Sequence, residues 1–273
     1  MSLRQRAMQR LRSSGLRRRA RRLGRLRWVT KVKVLRHNEA SPLRWWRYVL
    51  LDPEVDSFSY AIANEDELAA TLAPLLGRPA PELSALIAEA HADATLRAAL
   101  RQPAKRWLWA KRQPPLRGYS LALWTVVRTL RPAVVVETGV LDGLSSTVIL
   151  AALERNGEGT LISFDVMPGA GALVPDWLRT RWELVYANQP DALEDTIGER
   201  RIALLSSDSL QEVAQVRAEV EAALRHADDE FVVMTASGLF DVLRWLDREV
   251  VRFSDQPRDH FYAGEVVDAV RIR

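Results

Sequence analysis

From residue 118 onward, short apolar runs alternate with stretches of helical period. The run Ala133 to Val136 ends in Glu137, and the chain then turns through Thr138-Gly139. Gly143-Leu144-Ser145-Ser146 opens a helical pattern, and a second run, Leu161 to Phe164, ends at Asp165. Such runs are the length of buried strands, while the intervening 3.6-residue period marks amphipathic helices. Further strands are expected near 182–186, 201–206, 230–235, 249–254 and 261–271, giving seven in all. Helices are expected near 144–156, 174–180, 190–198, 209–226 and 237–247. Alternating elements of this kind predict an α/β fold: a doubly wound, mainly parallel seven-stranded sheet covered on both faces.

Upstream the pattern changes. Trp45–Leu51 and Phe58–Ala63 read as extended runs split at Asp52-Pro53-Glu54. Asn64 with Glu67 forms a capping box for a helix carrying Leu68, Leu72 and Leu75-Leu76, and Gly77 ends it. Further helices are expected from Pro81 to Ala90, over 94–101 and over 118–130, the last stopped by Pro132. Residues 41–117 are thus expected to form a small α+β subdomain, and 118–273 the main α/β domain.

Charge adds a third part, a basic arm over residues 1–40. It holds 14 of the 39 Lys and Arg but only one of the 35 acids, so a net +4 conceals +13 there against −9 elsewhere. Arginines mixed with Leu11, Leu16, Leu23, Leu26 and Trp28 in residues 1–36 suit an anionic membrane surface. Nucleic acid phosphates come second, and a solvated tail with no specific partner is the plain alternative. The arm has no apolar h-region, so no secretory signal is expected. No apolar stretch reaches the roughly 18–20 residues that span a bilayer. The absence of cysteine excludes disulfides and thiolate chemistry and suits a reducing cytoplasm, where the protein is expected, with peripheral membrane association through the arm. Nothing in the sequence sets the oligomeric state.

Candidate chemistry gathers where two strands end. Gly139 and Gly143 do not follow the G-x-G-x-x-G spacing, which disfavours a dinucleotide. Glu137 can attract a cationic amino group, and Asp165 can accept hydrogen bonds from vicinal ribose hydroxyls. Together they suit a ligand with a ribose and an ammonium. Ser145 and Ser146 are read either as ligand contacts or as helix caps.

These residues resemble the class I S-adenosylmethionine-dependent methyltransferases. The resemblance is strongest to the branch reading V-V-E-T-G-V-x-x-G-x-S-S, found among small-molecule and sugar O-methyltransferases. Here the match is Val135 to Val140, then Gly143, Ser145 and Ser146, and it continues in Ile162 to Asp165, Leu173 to Leu178 and Arg181 to Leu184. It covers about residues 118–272. It implies a Rossmann-like methyltransferase fold and S-adenosylmethionine as cofactor. Glu137, Gly139 and Ser145 or Ser146 would contact the methionine end, with Thr138 and Gly143 in the same turn, and Asp165 would contact the ribose.

Strand 4 departs from the branch. Where I-D-L-F-x-H-D-S-x-H is usual, the chain has Ile202 to Gln211, with Ala203, Ser207 and Gln211 in place of the acid and the two histidines. Only Asp208-Ser209 remains, too few oxygens for a hard metal ion, so no metal is expected. Asp208 and His260 are left as candidate proton acceptors, although a carboxylate is a weak base near neutral pH. Asp208 read structurally is the N-cap of a helix starting near Ser209. Trp177 and Trp182 are read as an adenine wall or as core packing. The leading expectation is O-methylation of a sugar or other hydroxylated small molecule. The alternatives are a catalytically depleted binding or scaffold protein of the same fold, and a nucleic-acid methyltransferase or binder working through the arm.

Overall fold

The computed structural model describes residues 65–100, 116, 118–187, 190, 192–209, 213–235, 243–254 and 266–272. The basic arm, the extended runs before Asn64, and His260 lie outside the described residues. Helices α1 (Glu65–Leu76), α2 (Ala80–Ala92), α3 (Ala94–Leu100) and α4 (Gly118–Leu130) lead into strand β1 (Val134–Thr138). Then follow α5 (Leu144–Asn156), β2 (Thr160–Asp165), a 3-10 turn (Asp176–Arg181), β3 (Trp182–Tyr186), α6 (Leu193–Ile197) and β4 (Ile202–Ser207). Helix α7 (Val213–Leu224), β5 (Ala227–Thr235), a 3-10 turn (Arg244–Leu246), β6 (Val251–Ser254) and β7 (Val266–Ile272) complete the order.

The first three helix starts have local causes. Glu65, Asp66 and Glu67 place negative charge on the first turn of α1, where the helix dipole favours it. Pro79 and Pro81 open α2. Asp93 ends α2 and caps α3, its Oδ1 accepting the Leu96 amide at 2.7 Å.

The sheet order is β3-β2-β1-β4-β5-β7-β6, with β7 alone antiparallel to its neighbours. The doubly wound, mainly parallel seven-stranded sheet expected from the sequence is therefore present. Every residue of β1 is buried, as a central parallel strand covered on both faces must be. Val135, Leu161, Leu204 and Met234 face helices α1 to α5, where Leu72, Leu83, Leu96, Trp124 and Ile149 complete one core. Val136, Ile162, Leu205 and Val233 face α6 and α7, with Leu193, Ile197, Val216 and Val220. Each such side chain, fully buried, contributes roughly 1.5–3 kcal/mol.

One expected element differs in kind. The segment near 174–180 is a 3-10 turn over 176–181, entered by Pro175 and too short to propagate as an α-helix. Ser209 forms a bend, and the described part of α7 begins at Val213. Among the described residues, no helix is long and apolar enough to cross a membrane.

Candidate functional site at the carboxyl ends of β1, β2 and β4

Strand pairing brings the polar ends of three strands side by side. Glu137 lies in register with Ser163 on β2 and Ser206 on β4, and Thr138 with Phe164 and Ser207. Because side chains alternate across a sheet, one polar row faces the α4/α5 layer and the next faces α7.

On the α4/α5 side stands Glu137, fully buried. Its Oε2 accepts the Ser146 hydroxyl at 2.5 Å and the Ser163 hydroxyl at 2.7 Å. Its Oε1 is buried and, among the described residues, makes no hydrogen bond of ordinary geometry. Burial pushes the Glu137 carboxyl above its ordinary value, the hydroxyls of Ser145, Ser146 and Ser163 pull it back, and the Asp165 charge pushes it up again. The Ser146 side chain is thus spent on Glu137 rather than on capping, and α5 begins after Gly143, which has no side chain to cap with. Next in this row, the Ser206 hydroxyl meets Tyr119 Oη at 2.7 Å.

Asp165 is held by the turns around it. Oδ2 accepts the amides of Val140 at 2.9 Å and Leu141 at 3.0 Å, and Oδ1 accepts the Met167 amide at 2.7 Å. An ionised carboxylate has about four acceptor positions, so Oδ1 keeps room for one more donor. Leu141 and Val166, both exposed, stand on either side of this carboxylate in sequence.

The α7 side is organised by Glu219, which is fully buried. Its Oε2 accepts Thr138 Oγ1 at 2.6 Å and Ser207 Oγ at 2.9 Å, and its Oε1 accepts Ser209 Oγ at 2.6 Å and Gln215 Nε2 at 2.9 Å. One carboxylate therefore ties together the ends of β1 and β4, the bend after β4 and α7. The Thr138 hydroxyl points into this cluster. Asp208 is exposed between Ser207 and Ser209, with its amide bonded to the Thr138 carbonyl at 2.8 Å.

Gly139 is forced by its neighbour. Its φ is +85°, and a Cβ there would sit 2.3 Å from the Asp208 carbonyl oxygen and 2.8 Å from the Ser209 nitrogen. Both are main-chain atoms with no freedom to retreat. Gly139→Ala is expected to destabilise the fold by roughly 2–4 kcal/mol, from left-handed strain plus overpacking against backbone. A urea unfolding curve that superimposes on wild type would refute this. Gly143, at φ +91°, is approached in the same way by Gly171 and Val174 of the segment after β2.

Residues 136–235 match a family model described as a methyltransferase domain. The strand order of the whole sheet fits the Rossmann-like class I methyltransferase fold. No curated protein sequence matches the chain. Among solved structures, the O-methyltransferase from Bacillus cereus in complex with SAH is similar to this chain. The two share 15% identity over 68% of this chain and 96% of that one, with a TM-score of 0.49. The O-methyltransferase TomG from Streptomyces achromogenes, involved in tomaymycin synthesis and solved with SAM, gives 15% identity, 68% and 95% coverage, and a TM-score of 0.48. A methyltransferase from Geobacter sulfurreducens gives 19% identity, 66% and 91% coverage, and a TM-score of 0.46.

Of the residues singled out by sequence, the structure gathers Glu137, Thr138, Gly139, Gly143, Ser145, Ser146, Asp165 and Asp208 around three adjoining strand ends. His260 lies outside the described residues. Among the described residues no three acids or histidines converge as a metal site. Sequence reasoning passed over Glu219 and Ser163. Glu219 was signalled by a charge on the apolar stripe Val216–Val220–Ala223, and Ser163 by a hydroxyl inside an otherwise apolar strand.

Proposed function

We propose that this domain is a methyltransferase that binds S-adenosylmethionine across the ends of β1, β2 and β4 and methylates a hydroxyl of a sugar or other hydroxylated small molecule. The observation that carries this reading is the buried, unpartnered Oε1 of Glu137, a vacant acceptor beside a glycine turn. A ligand ammonium would satisfy it with a charge-assisted hydrogen bond. Asp165 Oδ1 would take one ribose hydroxyl, with the exposed Leu141 and Val166 offering apolar surface nearby. When bound, the cofactor supplies a sulfonium methyl group open to in-line displacement by an oxygen nucleophile, a reaction that asks of the protein mainly placement. Asp208, exposed at the edge of the glycine turn, would take the proton of an acceptor hydroxyl, and His260 is the other candidate.

Calorimetry tests the reading directly. Wild type is expected to bind both S-adenosylmethionine and S-adenosylhomocysteine, and Asp165→Ala to bind them about 10- to 100-fold more weakly, the loss of a hydrogen bond to a charged group. No heat at millimolar ligand would end the proposal. We propose in addition that residues 1–36 hold the protein at an anionic membrane surface. Sedimentation with and without anionic lipid separates this from nucleic acid binding, which would show a steep salt dependence instead.

A further inference from the structure

We propose that Trp182, acting through the hydroxyl of Ser163, fixes the acceptor orientation of Glu137 and thereby sets how strongly the site takes a cationic ligand group. The inference rests on Glu137 being the ammonium acceptor, and it adds a positioning residue on a strand that does not touch Glu137. The chain of bonds runs one way. Trp182 Nε1 donates to Ser163 Oγ at 2.9 Å, and Ser163 Oγ donates to Glu137 Oε2 at 2.7 Å. An indole N–H can only donate, and a serine hydroxyl has a single proton. With its lone pair engaged by Trp182, Ser163 is held with its proton aimed at Glu137. The Ser146 hydroxyl reaches the same oxygen from α5. Both donors converge on Oε2, which leaves Oε1 for the ligand.

Trp182 is itself locked. A Cβ on Gly171 would fall 2.1 Å from Trp182 Cη2, so only glycine lets the segment after β2 lie on the indole. The Arg179 guanidinium lies 5.2 Å from the ring centroid and donates to the carbonyls of Gly171 at 3.1 Å and Val174 at 3.2 Å. The same segment grips the glycine turn, with the Gly171 amide on the Leu141 carbonyl at 2.9 Å and the Leu173 amide on the Asp142 carbonyl at 3.1 Å. Trp182 therefore joins the loop that covers the turn to the carboxylate beneath it.

The groups that act on Glu137 are the hydroxyls of Ser145 and Ser146 on α5, Ser163 on β2, and the charge of Asp165 at the end of β2. Without the indole N–H, Ser163 is free to rotate its proton away, and the Glu137 anion loses a donor. Its ionisation then moves to higher pH.

Difference infrared titration of the full-length protein, with the Glu137 band assigned through Glu137→Gln, reads this without any ligand. In Trp182→Phe and in Ser163→Ala the Glu137 midpoint is expected to move to higher pH, and the double variant to move no further than Ser163→Ala alone. That lack of additivity marks two residues acting in series. A packing role alone would lower the melting temperature and leave the midpoint in place, which would overturn the proposal. Should Trp182→Phe fail to fold, an unmoved midpoint in Ser163→Ala overturns it equally. Affinity for S-adenosylhomocysteine at pH 7 is expected to fall roughly three- to tenfold in Trp182→Phe. Absence of binding in wild type would refute the cofactor reading, while the infrared titration would still decide the role of Trp182.

Discussion

Glu219→Leu is expected to lower the unfolding free energy by roughly 3–5 kcal/mol, because it strips a common acceptor from several buried or half-buried donors at once. Thr138, Ser207, Ser209 and Gln215 all donate to this one carboxylate. Leucine fills the volume but accepts nothing. Glutamine should behave differently, since its oxygen can keep two donors while its amide turns toward two hydroxyls that then act as acceptors. Chemical denaturation of Glu219→Leu and Glu219→Gln side by side checks the argument. Equal losses in both would mean that the negative charge, which neither variant carries, is what the site requires of this residue, beyond the count of hydrogen bonds.

Glu137→Gln should change stability in a way that depends on pH. The folded protein holds this carboxyl above its ordinary value of 4.5, chiefly through burial. Folding therefore favours the protonated form. The stabilisation it lends is complete below about pH 4.5 and is lost as pH rises through the elevated folded value. Glutamine carries no such liability. The melting temperature of wild type should accordingly fall relative to that of Glu137→Gln as pH rises from 4.5 to 8, and parallel curves would show that Glu137 ionises without cost. The same variant should bind S-adenosylhomocysteine about 10- to 100-fold more weakly, because a neutral amide replaces the anion that would face the ligand ammonium. Greater stability at alkaline pH together with weaker binding would mark Glu137 as a residue kept for its ligand at a cost to the fold.

Much of this architecture was legible in the chain because its signals are local. The run from Val134 to Glu137, the glycines at 139 and 143 and the helical period from Leu144 locate β1, the turn and α5 without reference to any distant residue. The acids that close β1 and β2 could be placed side by side because consecutive strands of a parallel sheet end on the same edge. What stayed hidden depends on pairing between residues far apart in sequence. Glu219 is 81 residues from Thr138, and only the packing of α7 under the β1 and β4 ends reveals why a carboxylate interrupts an apolar stripe. Trp182 looked equally suited to an adenine wall or to the core, since sequence does not show that its N–H finds Ser163. Gly139 suggested close approach by a ligand, whereas its nearest neighbour is the backbone of Asp208.

The contact between Gly139 and Asp208 separates the shape of this site from its reactivity. The β1 turn and the β4 exit meet through main-chain atoms at Gly139 and Asp208, so this one contact does not depend on which side chains β4 carries. The Ser207 hydroxyl adds a second tie through Glu219, and that tie does depend on its side chain. A change at Asp208 that keeps its backbone in place would therefore alter the acid at the rim while the turn beneath it keeps its position.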